Sequence, residues 1–290
     1  MFSDTRLAFI GAGVMGEAMI RGLLAKGLVR ADAISASHPR QSRLDELTSR
    51  FGIRTTSSNR KAAEADIVVL TVKPQVLPVV LTEIRQAIPP RAFVLSIVAG
   101  ARIQTIVEGL EHRSVVRCMP NTPAQIGEGI TVWTATPEVQ PRQREQAQAI
   151  LRALGKELYV GEEGFLDMAT AVSGTGPTYV FMLMEALIDA AVHLGFSRAD
   201  ARELVVQTIR GSASFAEQSD LHPAELRNMV TSPGGTSAAA LYQLEKGALR
   251  TVLSKAVWAA YQRSVALGQI ARAAASPVEP SLPDDEDAPR

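Results

Sequence analysis

The sequence predicts an α/β domain built on a parallel sheet, followed by an all-α domain. Three observations predict this fold class. A short apolar strand leads directly into a glycine-rich turn and a helix at the start of the chain. Further continuous apolar runs, typical of buried parallel strands, alternate with helices up to about Gly161. Beyond Gly161 the apolar residues follow helical spacing only.

The first strand, Arg6–Ile10, precedes a G-x-G-x-x-G turn, and the helix Glu17–Lys26 follows it. A strand before and a helix after are the context that this fingerprint needs for dinucleotide binding. Gly11 permits the tight turn, Gly13 lets a pyrophosphate approach, and Gly16 allows close packing of helix on strand. The sequence therefore predicts an α/β Rossmann-type N-terminal domain.

The residues after the second strand, Ala33–Ala36, favour NADP(H) over NAD(H). An NAD-binding site needs an acid there for the ribose 2′-hydroxyl, but the chain reads Ser37, His38, Pro and Arg40, with Arg43 one turn further on. Hydroxyl, imidazole and guanidinium groups suit a 2′-phosphate through charge-assisted hydrogen bonds. The alternative is that the two arginines begin a solvated helix face. We expect NADPH as cofactor, with NADH possible.

Five later segments continue the strand pattern. They are Asp66–Thr71, Ala92–Ile97, Val115–Met119 and two late strands that we expect at the sheet edge, Ile130–Thr134 and Glu157–Val160. The first three end in turns that contain Pro, Gly or Asn. Because ligands lie beyond the carboxyl ends of parallel strands, a cofactor is expected at these turns.

Six helices are predicted after the sheet: Phe165–Val172, Pro177–Leu194, Arg198–Gln218, His222–Val230, Ser237–Lys246 and Ala248–Ala275. Val180, Leu183, Leu187 and Ala191 recur at helical spacing. This apolar surface exceeds what one small helical layer hides, so we expect an obligate homodimer. The alternative is that the helices bury themselves against the nucleotide domain. The predicted domains are 1–161, 162–275 and a disordered acidic tail, 276–290.

Composition narrows the function classes for these 290 residues. The hydrophobic content of 46% supplies a core, and the formal net charge of zero argues against nucleic-acid binding. Cys118 is the one cysteine and the four histidines lack ligand spacing, so no metal site is expected. The sequence has no uncharged apolar run of membrane-spanning length and no signal peptide pattern. We therefore expect a cytoplasmic protein without membrane partners.

A second glycine-rich turn interrupts the helical part. Pro233 stops one helix, Gly234 and Gly235 let the chain turn, and Thr236 or Ser237 is expected to cap the next helix. Unpaired N–H groups at such a helix start suit a small anion such as a carboxylate. An ordinary helix–turn–helix corner is the alternative.

Five motifs in order resemble those of pyrroline-5-carboxylate reductase. They are Gly11-Ala-Gly-Val-Met-Gly16, Val72-Lys-Pro-Gln75, Met119-Pro-Asn-Thr-Pro123, Ser173-Gly-Thr-Gly-Pro-Thr-Tyr-Val180 and Ser232-Pro-Gly-Gly-Thr-Ser237. The resemblance covers roughly residues 5–270. The last motif is the specific one, since many oxidoreductases share the first. The resemblance implies a Rossmann domain and a helical domain that interlocks in a dimer, often within a decamer of five dimers.

The resemblance also implies roles for individual residues. The implied cofactor-binding residues are Ile10, Gly11, Ala12, Gly13, Val14, Met15, Gly16, Ser37, His38, Arg40, Asn59, Thr71, Val72, Lys73, Pro74, Ile97, Val98 and Ala99. The implied substrate-binding residues are Glu163, Ser232, Gly234, Gly235, Thr236 and Ser237. Four positions depart from the usual pattern: Thr71 and Val98 replace Ala, Thr175 replaces Ser, and Ser237 replaces Thr.

The implied reaction is hydride transfer from a nicotinamide to the C=N bond of 1-pyrroline-5-carboxylate, which gives L-proline, the last step of proline biosynthesis. An imine protonates more easily than a carbonyl, so most of the catalytic work is positioning. We expect the Ser237 hydroxyl to orient the ring nitrogen as the catalytic donor, and we give Lys73 no catalytic role.

Two other functions stay open at this point. A β-hydroxyacid dehydrogenase shares the domain order but needs a lysine early in the second domain, where only the late Lys246 and Lys255 occur. A non-catalytic nucleotide-sensing protein is the other alternative, because fold alone does not fix function.

Overall fold

The computed structural model describes residue 2 and residues 4–275, so the predicted acidic tail lies outside the described residues. The chain divides into two units, which are treated separately below. The first unit runs up to Thr170 and takes in the chain again from Gln262. The second unit is Ala171–Tyr261.

An eight-stranded sheet organises the first unit. Its strands are β1 (Leu7–Ile10), β2 (Ile34–Ser37), β3 (Arg54–Thr56), β4 (Ile67–Leu70), β5 (Phe93–Ser96), β6 (Val115–Met119), β7 (Gly129–Ala135) and β8 (Gly155–Tyr159). Their spatial order is β3-β2-β1-β4-β5-β6-β7-β8. Neighbouring strands are parallel except for β6 and β7, which are antiparallel. The order reverses direction at β1, where an open α/β sheet forms its ligand crevice.

Seven helices belong to this unit: α1 (Val14–Ala25), α2 (Gln41–Phe51), α3 (Asn59–Ala62), α4 (Leu77–Ile84), α5 (Ile103–Leu110), α6 (Pro141–Arg152) and α7 (Phe165–Ala169). Leu7 and Phe9 of β1 belong to one buried cluster, and Ala8 and Ile10 belong to the other. Since alternate side chains of a strand point to opposite faces, both faces of the sheet are covered. This arrangement explains the continuous apolar runs in the sequence.

Helices make up the second unit. After a π-helical turn (Thr170–Gly174) come α8 (Gly176–His193), α9 (Arg198–Glu217), α10 (Pro223–Met229), α11 (Thr236–Lys246) and α12 (Leu249–Ala275), the last of which continues beyond this unit. Within residues 171–261, all of them described, only Ala171, Ala201 and Val205 are buried. The apolar positions Val180, Leu183 and Leu187 of α8 are exposed in the single chain.

The structure confirms the fold class and corrects several elements. Strand β3 was not predicted. The segment expected as an edge strand over 130–134 is β7, which lies inside the sheet because β8 pairs on its outer side. Helix α1 begins at Val14, three residues before the predicted start, because the extended Gly13 takes the N-cap position.

The predicted helix Phe165–Val172 is shorter in the structure, since α7 ends at Ala169 and gives way to the π-helical turn. The predicted domain limits follow the change in secondary structure at Gly161. The two units follow contacts instead, and Ser264 of α12 is hydrogen-bonded to Asp167 in the first unit. The domain limits 1–161, 162–275 and 276–290 stay a prediction. No helix among the described residues is long and apolar enough to cross a membrane.

Candidate functional site

The glycine-rich turn after β1 has the conformation that a dinucleotide-binding turn requires. Gly11 has a φ of +83°, and a Cβ on it would collide with Val72 after β4. A Cβ on Gly16 would lie 2.9 Å from the Thr71 Oγ1 atom. Gly13 has nothing closer than the Gly11 carbonyl oxygen at 3.8 Å, so its open side leaves room for a phosphate. The tight turn at Gly11 and the close packing at Gly16 are confirmed, whereas the approach of a pyrophosphate to Gly13 stays a prediction.

Hydrogen bonds from neighbouring strands fix this turn. The Gly11 and Ala12 N–H groups donate to the Ser37 carbonyl oxygen over 3.1 and 2.9 Å. The Thr71 hydroxyl lies 3.1 Å from the Ile10 and 3.0 Å from the Gly11 carbonyl oxygen. Thr71, a departure from the usual Ala, therefore adds a fixed donor beneath the turn.

The start of α1 has the open N–H groups that suit an anion. The first backbone bond at this end runs from the Glu17 N–H to the Gly13 carbonyl oxygen over 2.9 Å. The preceding N–H groups of Val14, Met15 and Gly16 therefore have no helical acceptor. Together with the positive end of the helix dipole they suit a pyrophosphate.

The end of β2 provides a buried support, and the residues after it provide an exposed cation. Ser37 is fully buried, and its hydroxyl lies 2.7 Å from the Asn59 Oδ1 atom. In this conformation Ser37 supports the turn and is not open to a phosphate, although the resemblance implied such a contact. Arg40 is exposed, and its guanidinium has no ion-pair partner among the described residues. The position of Arg40 therefore suits a 2′-phosphate best.

His38 lies between these two residues. Its Nδ1 atom accepts a hydrogen bond from the Arg40 N–H over 3.1 Å. Burial lowers the pKa of His38, and the nearby charges of Arg40 and Arg43 lower it further. The imidazole is therefore neutral at pH 7 and fits a hydrogen-bonding role better than a charged one.

A cleft of about 770 Å³ extends from Gly11 past Asn59 and Val72 to α4. Its volume falls in the range of small-molecule and cofactor sites. The Asn59 Nδ2 atom donates to the Glu83 Oε2 atom over 2.6 Å on its wall. A second cavity of about 530 Å³ lies at the amino ends of β1 to β3, between Thr5 and Arg54. Because ligands of parallel sheets bind at the carboxyl ends, the first cleft is the candidate cofactor site.

The predicted nicotinamide segments follow β4 and β5. Lys73 is exposed before the short helical turn Pro74–Val76, whereas Val98 is buried. The Ile97 N–H donates to the Leu70 carbonyl oxygen over 3.1 Å, and so the two segments lie side by side. A Cβ on the next glycine, Gly100, would lie 3.2 Å from α12.

Glu163 belongs to a partly buried ionic cluster that sequence reasoning missed. Its Oε1 atom accepts from the Arg117 Nη1 atom over 2.6 Å and from the Ile103 N–H over 2.8 Å. Asp167 is 2.8 Å from Arg102 and 2.9 Å from the Ser264 hydroxyl. The available signal was the arginine in the middle of the apolar strand Val115–Met119. The substrate role of Glu163 stays a prediction.

The Ser232–Ser237 turn lies in the second unit. Gly234 has a φ of +71°, and the Gly235 N–H donates to the Ser232 carbonyl oxygen over 3.1 Å. The expected capping by Thr236 or Ser237 is wrong, because Gly235 is the N-cap and no side chain caps the helix.

The open N–H groups of this turn differ from the expectation at one residue. The motif predicts that the N–H groups of Gly235, Thr236 and Ser237 are free for a carboxylate, but the Gly235 N–H closes the turn. Helix α11 begins at Thr236. Its first helical hydrogen bond runs from the Ala239 N–H to the Gly235 carbonyl oxygen. The N–H groups of Thr236, Ser237 and Ala238 therefore have no helical acceptor, and they suit a carboxylate.

The single cysteine is a packing residue. Cys118 is buried in β6, and its thiol donates to the Ser96 carbonyl oxygen over 3.4 Å. Burial raises the pKa of the Cys118 thiol far above its usual range, which removes its nucleophilic form. Among the described residues no group of three or more His, Cys, Asp or Glu could hold a metal ion.

Comparisons with known proteins agree with the two-part organisation. The family profile described as pyrroline-5-carboxylate reductase dimerisation matches residues 163–267. The profile described as NADP oxidoreductase, coenzyme F420-dependent, matches residues 6–100.

Similar proteins extend the match over most of the chain. A pyrroline-5-carboxylate reductase of Pseudomonas aeruginosa is 42% identical over 269 residues, which is 92% of this chain and 98% of that protein. The crystal structure of a Plasmodium falciparum pyrroline carboxylate reductase with NADP bound superposes with a TM-score of 0.84 at 32% identity, over 91% of this chain and 98% of the other. The Coxiella burnetii pyrroline-5-carboxylate reductase has the same TM-score and coverage at 36% identity. This chain belongs to the pyrroline-5-carboxylate reductase family.

Proposed function

We propose that this chain reduces the C=N bond of 1-pyrroline-5-carboxylate to L-proline with NADPH, and with NADH less efficiently. The observation that carries the proposal is the Ser232–Ser237 turn, which leaves three N–H groups without helical acceptors at the start of α11. Family membership supports the same reaction. A β-hydroxyacid dehydrogenase and a nucleotide-sensing protein have no comparable support.

The first unit fits the cofactor. When bound, a reduced nicotinamide supplies the hydride. The N–H groups of Val14, Met15 and Gly16 hold the pyrophosphate, and the exposed Arg40 holds the 2′-phosphate. Ser37 and Asn59 support the turn from behind through their mutual hydrogen bond. The preference for NADPH rests on Arg40 and on the lack of an acid after β2.

The turn before α11 fits the substrate. Its three open N–H groups bind the substrate carboxylate, which then acts as a handle for orienting the ring. The Ser237 hydroxyl donates a hydrogen bond to the imine nitrogen and orients it. A hydroxyl is a poor acid at neutral pH, so Ser237 acts first as an orienting donor, and the proton that the nitrogen gains as hydride adds to the carbon comes chiefly from solvent water.

The protein is a homo-oligomer that acts on a small molecule, in keeping with the dimerisation profile. We propose a homodimer formed by the exposed apolar helices of the second unit. Assembly of five dimers into a decamer and a cytoplasmic location stay predictions from the sequence.

The direct experiment is a comparison of substrates by NADPH oxidation. Purified protein is mixed with NADPH and either 1-pyrroline-5-carboxylate, a panel of β-hydroxyacid-derived ketoacids, or no substrate. We expect oxidation with the cyclic imine alone and stoichiometric proline as product. Turnover with the ketoacids would favour the dehydrogenase alternative, and NADPH binding without any turnover would favour the sensing protein.

A further inference from the structure

Arg43 of α2 is directed into the phosphate-binding turn. Its side chain is only 12% exposed. Its Nε atom donates to the Ala12 carbonyl oxygen over 3.2 Å, and its Nη2 atom donates to the Gly13 carbonyl oxygen over 3.4 Å. Arg43 therefore neither begins a solvated helix face nor lies open to a 2′-phosphate, the two roles considered from the sequence.

The charge of Arg43 is matched by two acids. The Nη2 atom lies 2.6 Å from the Glu17 Oε2 atom, and the Nη1 atom lies 2.7 Å from the Glu46 Oε2 atom. The Arg50 Nη1 atom lies 2.9 Å from a carboxylate oxygen of Glu17 and of Glu46. Within the described part of the chain, Arg50 donates no hydrogen bond to the Ala12–Gly13 turn. Burial alone lowers the pKa of Arg43, but hydrogen bonds to Glu46 and Glu17 outweigh burial and raise it. The guanidinium is thus permanently charged and has its ion-pair partners within the fold.

Glu17 makes this arrangement necessary. It occupies the first turn of α1, beside the N–H groups that suit a pyrophosphate. A carboxylate there interacts favourably with the helix dipole, but it repels a bound phosphate. The ion pair with Arg43 offsets that repulsion, and the same guanidinium holds the two carbonyl groups of the turn in place.

We propose that Arg43 is a positioning residue for the cofactor pyrophosphate: it fixes the Ala12–Gly13 turn and offsets the charge of Glu17. The inference rests on the proposed cofactor binding and makes it more specific. Because the pyrophosphate is common to both cofactors, Arg43 supports NADPH and NADH binding equally. Arg40, by contrast, distinguishes between them.

The test is a set of binding titrations with NADPH and NADH, monitored by nicotinamide fluorescence. The proteins compared are the wild type, Arg43→Met, Arg43→Lys and Arg50→Met. We expect Arg43→Met to raise both dissociation constants by about tenfold, which is the loss of about one charged hydrogen bond. Arg50→Met is the matched control, since it removes the same charge near the same acids; we expect less than about a threefold change. The dissociation constants of Arg43→Lys should lie between those of wild type and Arg43→Met, because an ammonium group keeps the charge but lacks the forked donors of a guanidinium.

Steady-state kinetics separate positioning from general damage. We expect Arg43→Met to raise the KM for both cofactors while kcat at saturating cofactor and the KM for the imine stay near wild type. Unchanged cofactor affinity in Arg43→Met, or a loss for NADPH alone, would overturn the inference. If Arg43→Met does not fold, Arg43→Lys decides, and the same equal rise for both cofactors is required. A wild-type protein that binds neither cofactor would instead refute the proposed function itself.

Discussion

The two units differ in how completely a single chain buries their apolar side chains, as two phenylalanines show. Phe9 in β1 is 0% exposed, whereas Phe181 in α8 is 59% exposed. Burial of one large apolar side chain contributes about 1.5–3 kcal/mol. The first unit gains this contribution along every central strand, while the second unit leaves many of its apolar side chains in water. A single chain therefore completes the core of its sheet but not that of its helices.

This difference indicates how the two units acquire their stability. The sheet of the first unit has helices on both faces, and the single chain alone forms the candidate cofactor cleft. The whole second unit lies within the residues that match the dimerisation profile of the family, so we expect a partner chain to cover its apolar helices. We expect changes in the helices to affect assembly and changes in the sheet to affect cofactor binding and stability.

The largest expected effect is the loss of assembly in Leu187→Asp. A carboxylate placed in an apolar interface costs several kcal/mol per copy, so the oligomer should dissociate and imine turnover should disappear. Cofactor binding by the first unit should remain. Light scattering and cofactor titration measure the two properties, with Leu187→Ala as the control at the same position. An intact, active oligomer in Leu187→Asp would show that the exposed apolar face is not the interface.

The second expected effect concerns the stability of the first unit. Arg117 and Asp167 have side chains only 4% and 2% exposed. Asp167→Ala would leave the buried Arg117 guanidinium with Glu163 as its acidic partner and would remove the carboxylate from Arg102 and Ser264. We therefore expect a loss of about 2–3 kcal/mol in the free energy of unfolding. Ser264→Ala removes only one hydrogen bond to the same carboxylate and should cost about 1.5 kcal/mol. Equal denaturation midpoints for Asp167→Ala and wild type would contradict this role of the cluster.

The third expected effect separates imine binding from cofactor binding. A Cβ on Gly235 would lie 2.5 Å from the Ser232 Oγ atom, so Gly235→Val should distort the turn that presents the open N–H groups. We expect the KM for the imine to rise by about a hundredfold and the KM for NADPH to stay nearly unchanged. Ser237→Ala should be milder, and Ser237→Thr close to neutral. Circular dichroism confirms folding, and an unaltered KM for the imine in folded Gly235→Val would exclude this turn as the carboxylate site.

The smallest expected effect is a change in cofactor preference. Arg40→Ala should weaken NADPH binding by about 1–3 kcal/mol, the value of a lost charged hydrogen bond, with little change for NADH. Paired titrations with the two cofactors measure the difference. Equal losses for both would mean that Arg40 does not contact the 2′-phosphate.

The parts of the fold that could be predicted from the sequence are those with a local signal. Strands such as Ile67–Leu70 are continuous apolar runs, and the fingerprint glycines fix their own turn. Strand β3, Arg54–Thr56, has three polar residues and no apolar pattern. The interior position of β7 depends on its pairing with β8, for which no residue is diagnostic.

In the candidate site, too, only features with a local sequence signal could be predicted. The two glycine-rich turns were visible because each is a short continuous motif. The contact of Arg43 with the Ala12 carbonyl oxygen spans 31 positions, and that of Ser264 with Asp167 spans 97. Such pairs are set by tertiary packing, which a single sequence does not display. Gly235 was misjudged for a different reason, since the internal hydrogen bond of a turn depends on backbone angles.

The central claim is that this chain transfers a hydride from NADPH to the carbon of a cyclic imine, and isotope transfer tests it most directly. Wild-type protein is incubated with NADPH that carries deuterium on the transferable position of nicotinamide C4, together with 1-pyrroline-5-carboxylate. The account predicts proline with one deuterium on the ring carbon of the former imine, detected by mass spectrometry and NMR. Proline without deuterium, or no proline while the protein binds NADPH, would contradict the claim.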